Sequence, residues 1–450
     1  MLRRIVKKSP LLHGVARRSL SVLSRPHHPS ASSLPSWLKK EWQALHEIDK
    51  ELFPSPAIPH FDTLTPDHKM VGSAYKALID SLRFDTYDYL IFAPWLVQGG
   101  ADLFVVNYAN TIAHQQPNKR VLVVATLPST SPWKNKLDDI VDFLDFGTLT
   151  AHLTEAQRQT LLGHIIENGQ INHLHIINSA LGYDFVKRHR AYLRHTDRKV
   201  VATSFSQSID DTGRVFGYSH THTPKIYEET DVITSDNQTV LTMWEKEYGF
   251  DPRKMTVHHQ PITIPAARTA RKRGKTLRIL WAARLAPEKQ PEIVVEIARL
   301  CEKENIHIDL YGHVYEDYNT DFLSDLPANI EYKGPFEGPE SIPYETYDLY
   351  LYTSLFDGMP NTLLEMASVR LPIITSNVGG ISEFVHHLDT GYLVEDIRNP
   401  EAYATAIKQV IKGPGLLVTW SDNAFARLEK DFSAKAFETS VRKLLKDIGY

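Results

Sequence analysis

Short apolar runs alternate with amphipathic stretches along most of this chain, beginning at Tyr89. This order is typical of parallel sheets whose strands are joined by crossover helices. The runs that predict strands in the first half are residues 89–93, 120–125, 173–177, 200–203 and 231–234. Residues 101–108, directly after Gly99 and Gly100, predict a helix. This first α/β unit is expected to end near Pro265.

The same pattern starts again after residues 266–275, which carry five basic side chains and predict a linker. The second set of strands is predicted at residues 277–281, 307–312, 330–332, 349–353 and 372–375. Residues 432–448 predict an amphipathic helix that packs near the domain junction. Because 450 residues are too many for one compact core, we expect two domains. The expected boundaries are 41–265 for the first domain, 276–430 for the second and 431–450 for the terminal helix.

The first 40 residues differ from the rest, because nine basic residues precede the first acidic residue, Glu41. Apolar residues are interleaved with these charges, which permits a basic amphipathic helix on an anionic membrane surface. A mitochondrial transit peptide and a solvated tail have the same composition, so three interpretations stay open. Nowhere does the chain approach the roughly 20 uninterrupted apolar residues that a membrane-spanning helix needs.

The overall composition narrows the class of protein. A net charge of -4 and a hydrophobic fraction of 42% indicate neither a nucleic-acid-binding surface nor disorder. The single cysteine, Cys301, rules out a disulfide framework within one chain, and we expect it to be a buried apolar residue. A reducing compartment fits, so the expected location is the cytoplasm, with a peripheral position at the inner face of the membrane if the basic segment binds there.

The strongest chemical signal is the segment from Leu355 to Glu365, in which Asp357 and Glu365 bracket a loop that opens a predicted helix at Asn361. The first N–H groups of a helix lack internal partners and, with the helix dipole, can bind a phosphate. Glu365, about one turn further along, can accept hydrogen bonds from two ribose hydroxyls. This segment therefore predicts a site for a sugar nucleotide.

Two cations follow the first strand of the second domain. Arg284 lies at the end of that strand and Lys289 in the next turn, so both can reach one diphosphate. Taken alone, a solvated turn in which Arg284 pairs with Glu288 explains these residues equally well. The diphosphate interpretation gains weight because two Rossmann-like domains bind ligands in the cleft outside the carboxyl ends of their strands.

Together these motifs resemble the retaining glycosyltransferases of family 4, most strongly over residues 277–394. The resemblance implies the GT-B fold, in which two facing Rossmann-like α/β domains bind the acceptor in the first domain and the donor in the second. It implies that Arg284 and Lys289 bind the donor diphosphate. It also implies that a Glu-x7-Glu motif places one acid near the donor sugar and the other on the ribose. Here Asp357 stands in the first position, whereas Glu365 matches.

The resemblance also extends to the glycines of the first domain, since Gly99 and Gly100 look like the loop where the family's backbone approaches the donor closely. The expected catalytic residues are Arg284, Lys289 and Asp357. The expected substrate-binding residues are Gly99, Gly100, Gly358, Met359, Asn361, Thr362 and Glu365. Gly379 and Gly380 are expected to serve backbone geometry near the cleft. His258 and His259 lack a carboxylate partner at ligand spacing and are interpreted as structural.

The resemblance implies transfer of a sugar from a nucleotide-sugar donor to a carbohydrate or lipid-linked acceptor, with retention of anomeric configuration. No Asp-x-Asp motif occurs, so the cations and the helix start, rather than a divalent ion, are expected to meet the diphosphate charge. No cofactor other than the co-substrate is expected. A nicotinamide-dependent oxidoreductase is disfavoured, because no Gly-x-Gly-x-x-Gly follows a strand. A nucleotide-sugar-binding scaffold without turnover is the alternative that Asp357 keeps open.

Overall fold

The computed structural model describes residues 36–53, 66–206, 208–209, 214–265, 274–315, 318–336 and 341–450. The chain divides into two units, residues 1–76 and residues 77–450. In the first unit, helix α1 covers Ser36–Ile48 and the Trp42 ring packs edge-on against Phe53. The basic segment predicted over residues 1–40 falls mostly outside the described residues. Among those described, every helix is too short or too polar to span a bilayer.

The first half of the second unit is built on a parallel sheet. The strands of this half are β1 (Tyr89–Ala93), β2 (Val121–Ala125), β3 (Val141–Leu144), β4 (His173–Ile177), β5 (Lys199–Thr203), β6 (Ser208–Ile209), β7 (Val215–Phe216), β8 (Val232–Ser235) and β9 (Met255–Val257). Seven of them form the sheet in the order β3-β2-β1-β4-β5-β8-β9, and β6 pairs only with β7. Every residue of β1 and β2 is buried, as expected for strands covered on both faces.

A second parallel sheet follows in the chain. Its strands are β10 (Leu277–Ala282), β11 (Ile306–Tyr311), β12 (Ile330–Gly334), β13 (Leu349–Tyr352), β14 (Ile373–Ser376) and β15 (Tyr392–Val394), in the order β12-β11-β10-β13-β14-β15. Cys301 is fully buried in the core of this domain, which confirms its predicted apolar role. Both sheets are therefore wound as the alternating sequence pattern predicts, and together they make two facing Rossmann-like α/β domains.

Helices connect the strands and cover the sheets. After α1 they are α2 (Pro66–Ser81), α3 (Gly100–Gln115), α4 (Phe146–Leu149), α5 (Glu155–Asn168), α6 (Ala180–Arg188), α7 (Arg190–His195), α8 (Tyr218–Thr221), α9 (Thr223–Ile226), α10 (Gln238–Tyr248), α11 (Pro291–Leu300), α12 (Asn361–Ser368), α13 (Pro400–Lys412), α14 (Gly415–Asp431) and α15 (Ala434–Asp447). Pro291 and Pro400 each occupy the first turn of their helix, where the missing N–H costs nothing.

The last helix returns to the first domain. Helix α14 contributes to the core of the second domain, and the chain then leaves it at Phe432, whose carbonyl accepts from the amide of Ile262 at 2.9 Å. The apolar side of α15 packs into the same core as β1 and α3, through Phe437 and Leu444 among others. The sequence placed this helix near the junction, and the structure assigns its apolar face to the first domain.

Candidate active site

The loop after β13 leads into α12 at the carboxyl edge of the second sheet. Helix α12 forms because its apolar residues recur on one face and are buried, among them Leu363, Leu364 and Met366. Pro360 occupies the N-cap position and its side chain cannot accept a hydrogen bond, so the helix starts without a side-chain cap. The start of α12 therefore presents amide groups and the positive end of the helix dipole at the position predicted for a phosphate.

Lys289 reaches this loop from the turn after β10. A short 3₁₀ helix, Pro287–Lys289, directs the side chain toward β13. The ammonium donates to Asp357 Oδ2 at 2.5 Å, to the Tyr352 hydroxyl at 2.8 Å and to Ser354 Oγ at 3.3 Å. Two of the predicted catalytic residues thus lie in direct contact, although they are far apart in sequence.

The Asp357 carboxylate is held in its charged form. Burial alone would raise its pKa, but the Lys289 ammonium and hydrogen bonds from Lys289 and Tyr352 together hold the pKa below its usual value. The other carboxylate oxygen accepts from the amide of Gly358 at 3.0 Å. Asp357 is therefore an anion that accepts hydrogen bonds from Lys289, Tyr352 and the Gly358 amide.

Arg284 lies apart from this cluster. Its guanidinium donates to Glu288 at 3.1 Å and stacks 4.8 Å from the Tyr315 ring centre, with the side chain 46% exposed. This is the Glu288 pair that the solvated-turn interpretation predicts. An exposed ion pair of this kind contributes only about 0–1 kcal/mol, so Arg284 can readily exchange Glu288 for an anion with more negative charge.

Glu365 and Thr362 lie half-buried in the first turns of α12, next to Tyr350. Burial raises the pKa of Tyr350, and Tyr352 and, to a smaller extent, the Glu365 carboxylate add to that rise. A hydrogen bond with Thr362 and the charge of Lys289 oppose it. The Tyr350 hydroxyl itself donates to the carbonyl of Ala282 at 3.0 Å. Lys289 and the first turns of α12 therefore both lie close to the buried Tyr350.

The predicted glycines of the first domain approach α12 from the opposite side of the cleft. A Cβ on Gly100 would lie 3.3 Å from Asn361 Nδ2, so a side chain there would press on the helix start. A Cβ on Gly99 would lie 2.8 Å from a carboxylate oxygen of Asp102. Burial raises the pKa of Asp102 to about 6. The structure thus brings Gly99, Gly100 and Asn361 to one place in the cleft.

Asp236, which sequence reasoning missed, also lies in the cleft. It follows β8 directly, is 7% exposed, and accepts from Asn237 Nδ2 at 2.7 Å and from the Met359 amide at 3.4 Å. Burial raises its pKa to about 6, opposed by these two hydrogen bonds and reinforced by Asp357. The available signal was an aspartate two residues after the strand predicted at 231–234, at the sheet edge where ligands bind.

The loop containing Gly379 and Gly380 lies between the two domains. Gly379 has φ +52°, and a Cβ there would lie 1.7 Å from the Asp357 carbonyl oxygen. The Gly380 amide donates to the Gly358 carbonyl at 3.0 Å, and a Cβ on Gly380 would lie 2.6 Å from Asn237 Cβ. These contacts confirm the backbone role predicted for the pair.

The buried histidines of the first domain form a separate network. The Tyr108 hydroxyl and His258 Nδ1 are 2.6 Å apart, as are His175 Nε2 and Thr203 Oγ1. Burial lowers the pKa of both His175 and His258 to about 3, so both rings are neutral at physiological pH. Their partners are core residues, which confirms the structural role predicted for His258.

One group of described residues could hold a metal ion by proximity, namely His307, Asp309 and Glu331. Asp309, however, already accepts from Arg278 at 2.6 Å and from the Tyr347 hydroxyl at 2.8 Å. Lys333 lies 2.6 Å from Glu331 and 3.7 Å from Asp309. Two protein cations therefore neutralise this cluster, which is better described as an ion-pair network than as a metal site.

Comparison with known proteins agrees with this architecture. Residues 266–427 match the family described as Glycosyl transferases group 1. The O-antigen biosynthesis glycosyltransferase WbnH of Escherichia coli is 26% identical over 153 residues, 34% of this chain and 43% of that protein. An uncharacterized glycosyltransferase of Haemophilus influenzae is 22% identical over 200 residues, 43% of this chain and 55% of that protein. The chain thus spans about half the length of the curated relatives it matches.

Solved structures share the fold over most of the chain. A glycosyltransferase from Rickettsia africae covers 81% of this chain and 99% of its own, with a TM-score of 0.64 and 17% identity. Anabaena HepE, solved in complex with UDP-glucose, covers 80% of this chain and 99% of its own, with a TM-score of 0.63 and 14% identity. This chain therefore has the GT-B fold, and its residues 266–427 match a glycosyl transferases group 1 domain.

Proposed function

We propose that this chain moves a sugar from a nucleotide-sugar donor to a carbohydrate or lipid-linked acceptor, with retention of anomeric configuration. The observation that carries the proposal is the contact between Lys289 and Asp357 beside the start of α12. The donor class is supported by the family match and by the UDP-glucose complex of HepE. Retention is supported by the resemblance to family 4.

The donor diphosphate would lie against the start of α12. Its charge would be met by the first amides of that helix and by Lys289, which would share its donors between Asp357 and a phosphate oxygen. Arg284 would exchange its exposed Glu288 pair for the same anion. Each charged hydrogen bond contributes about 1.5–3 kcal/mol, and this matters most as the leaving group gains charge.

The sugar and the ribose of the donor would lie on either side of the diphosphate, along the loop and α12. Asp357 and the amides of Gly358 and Met359 would position the sugar, with the Met359 amide exchanging its long bond to Asp236 for a sugar hydroxyl. Glu365 would accept hydrogen bonds from the two ribose hydroxyls. Gly99 and Gly100 would leave room for the donor between α3 and Asn361.

The transfer would proceed on one face of the sugar. The bond between the anomeric carbon and the phosphate oxygen breaks as a bond from the acceptor oxygen forms on the same side. The acceptor proton passes to the leaving phosphate oxygen, so the step needs no separate protein base. Closure of the domains around Asp236 and Met359 would exclude water and suppress donor hydrolysis.

Metal independence is part of the proposal, since Lys289, Arg284 and the helix start supply positive charge to the diphosphate. Turnover should therefore persist in excess chelator. Loss of turnover in chelator, restored by a divalent ion, would remove this part.

The proposal is tested first by a thermal-shift screen against a panel of nucleotide sugars, because a ligand that binds only the folded state raises the melting temperature by mass action. Donors that bind are then assayed with carbohydrate and lipid-linked acceptors for release of nucleoside diphosphate, and the anomeric configuration of the product is read by NMR. If a nucleotide sugar binds but no nucleoside diphosphate is released with any of these acceptors, the scaffold alternative would be favoured. The hydrogen bonds from Lys289 and Tyr352 to Asp357 are compatible with that alternative. A product of inverted anomeric configuration would contradict only the retaining stereochemistry in this proposal.

The basic segment over residues 1–40 is proposed to contact an anionic membrane peripherally. Co-sedimentation with vesicles containing phosphatidylserine, compared with neutral vesicles and at raised salt, tests this contact. Equal partition into both kinds of vesicle would contradict it.

A further inference from the structure

Glu383 of the second domain caps a helix of the first domain. One carboxylate oxygen accepts from the amide of Gln238 at 2.7 Å. The other accepts from both the amide and the hydroxyl of Thr239, each at 2.7 Å. These residues begin α10, which is 11 residues long. A carboxylate at this end of a helix is favoured both by the free amides and by the dipole.

Within the first domain, the N-cap side chain of α10 satisfies a different amide. Asn237, the N-cap residue of α10, uses its own side chain for the amide of Val240 at 2.9 Å. The amides of Gln238 and Thr239 are then satisfied by Glu383, across the cleft. Thr239 adds a second link, because its hydroxyl also lies 3.2 Å from the Gly379 carbonyl. The cap is therefore shared between the domains.

Glu383 is also connected to the donor loop. It ends a 3₁₀ turn, Ile381–Glu383, that directly follows Gly380. The amide of Gly380 bonds the carbonyl of Gly358, and Gly379 packs on the carbonyl of Asp357. On its other side, the Glu383 carbonyl accepts from Arg427 of α14 at 2.5 Å. A displacement of Glu383 would thus be transmitted to the backbone that flanks Asp357.

We propose that Glu383 is a positioning residue, which ties α10 to the loop of Gly379 and Gly380 and so holds the donor loop against the first domain in the closed state. The inference rests on the proposed function. It assigns the Glu383 side chain a role in closure rather than in contact with the donor.

The test compares Glu383→Gln with Glu395→Gln. Glu395 is a matched control, because its carboxylate accepts from Asn377 of the same loop at 2.9 Å but makes this contact within the second domain. We expect Glu383→Gln to raise the KM for the best nucleotide sugar by roughly 10-fold, within the range usual for coupled sites. Glu395→Gln should stay within twofold of the unmodified protein. Small-angle X-ray scattering should show donor-induced compaction in the control and a loss of compaction in Glu383→Gln.

A double-mutant cycle with Thr239→Val separates positioning from general destabilisation. If the two side chains act through one contact, the double variant should have nearly the KM of Glu383→Gln alone. The inference would be overturned if the increases in KM of the two single variants multiply in the double variant. It would also be overturned if Glu383→Gln matches the control in KM and in scattering. Either result would leave the proposed function intact. An unmodified protein that neither binds nor turns over any nucleotide sugar would instead overturn the proposed function, and the inference with it.

Discussion

The Lys289 ammonium and the Asp357 carboxylate form a 2.5 Å ion pair whose side chains are only 13% and 23% exposed. Replacing Lys289 by Ala removes the cation that would receive the diphosphate, so we expect turnover to fall by at least about 100-fold, the effect of losing one strong electrostatic contact. The substitution also leaves Asp357 without its counter-ion, and should cost about 3 kcal/mol of stability. Steady-state kinetics and urea unfolding measure the two effects.

The double variant Lys289→Ala with Asp357→Asn is the control for this prediction. Neutralising Asp357 removes the unpaired buried charge, so stability should largely return while turnover stays low. Near-normal kinetics in Lys289→Ala would contradict the assignment of Lys289 to the leaving group.

Glu365 is expected to recognise the ribose. Replacing it with Gln should raise the KM for the donor about 10- to 100-fold, since charged hydrogen bonds of about 1.5–3 kcal/mol are weakened. The sharp measurement uses isothermal titration with the matching nucleoside diphosphate and with its 2′,3′-dideoxy analogue. The unmodified protein should prefer the ribose form, and Glu365→Gln should bind both forms with similar affinity. A preference that survives the substitution would place the ribose elsewhere.

Asp236 should make stability depend on pH. Its pKa is raised to about 6 by burial, above the unfolded value of 3.8, so the folded state favours the protonated acid. Stability from this group is fully present below about pH 4 and is lost as the pH rises to about 6. At 1.36 kcal/mol per pKa unit, Asp236→Asn should therefore be about 3 kcal/mol more stable than the unmodified protein at pH 7 and equal to it at pH 4.

The measurement for Asp236 is the difference between two urea unfolding curves at each pH, so that the opposite trend of the neutral His175 and His258 cancels. The exposed Asp139, replaced by Asn, serves as the control for the general effect of removing one carboxylate. If the difference in unfolding free energy between Asp236→Asn and the unmodified protein does not change with pH, the Asp236 carboxylate is ionised in the folded protein at little free-energy cost.

Gly379 cannot carry a side chain in this fold. Its positive φ and the 1.7 Å separation between a Cβ and the Asp357 carbonyl predict that Gly379→Ala displaces the donor loop. We expect a loss of about 1–3 kcal/mol in stability, together with weaker donor binding. Gly415, which has no heavy atom within 4 Å of an added Cβ, is the control, and Gly415→Ala at the start of α14 should be neutral or stabilising. Equal effects of the two substitutions would contradict this reading.

Much of the fold could be predicted because its strands are continuous apolar runs. The strands predicted at 89–93 and 173–177 are observed with the same bounds, and the others begin or end within two residues of prediction. The predicted strands do not include β3, β6, β7, β9 or β15. β3 contains Asp142, whose carboxylate is buried by contacts with Arg83 and Tyr87, and this interrupts the apolar pattern. β15 is only three residues long and is defined by its pairing with β14.

The site was predictable where one segment carried the signal, as in residues 355–365, and not where two segments must meet. The pairing of Lys289 with Asp357, and the approach of Gly100 to Asn361, depend on how β10, β13 and the first domain are arranged in space. The contacts of Asp236 with the Met359 amide and of Glu383 with the Gln238 amide could not be predicted from local sequence, because each joins residues that are remote in the chain. Nor could spacing distinguish an Arg284 that binds a ligand from one paired with Glu288.

The return of α15 to the first domain has a consequence for the order of assembly during synthesis. The aromatic ring of Phe437 completes a core of the first domain that includes β1 and α3, more than 300 residues earlier in the chain. The second domain, whose segments are contiguous from β10 to α14, can finish folding while the first still waits for its final helix. A nascent chain halted before Ala434 would thus expose an apolar surface on α3 to chaperones.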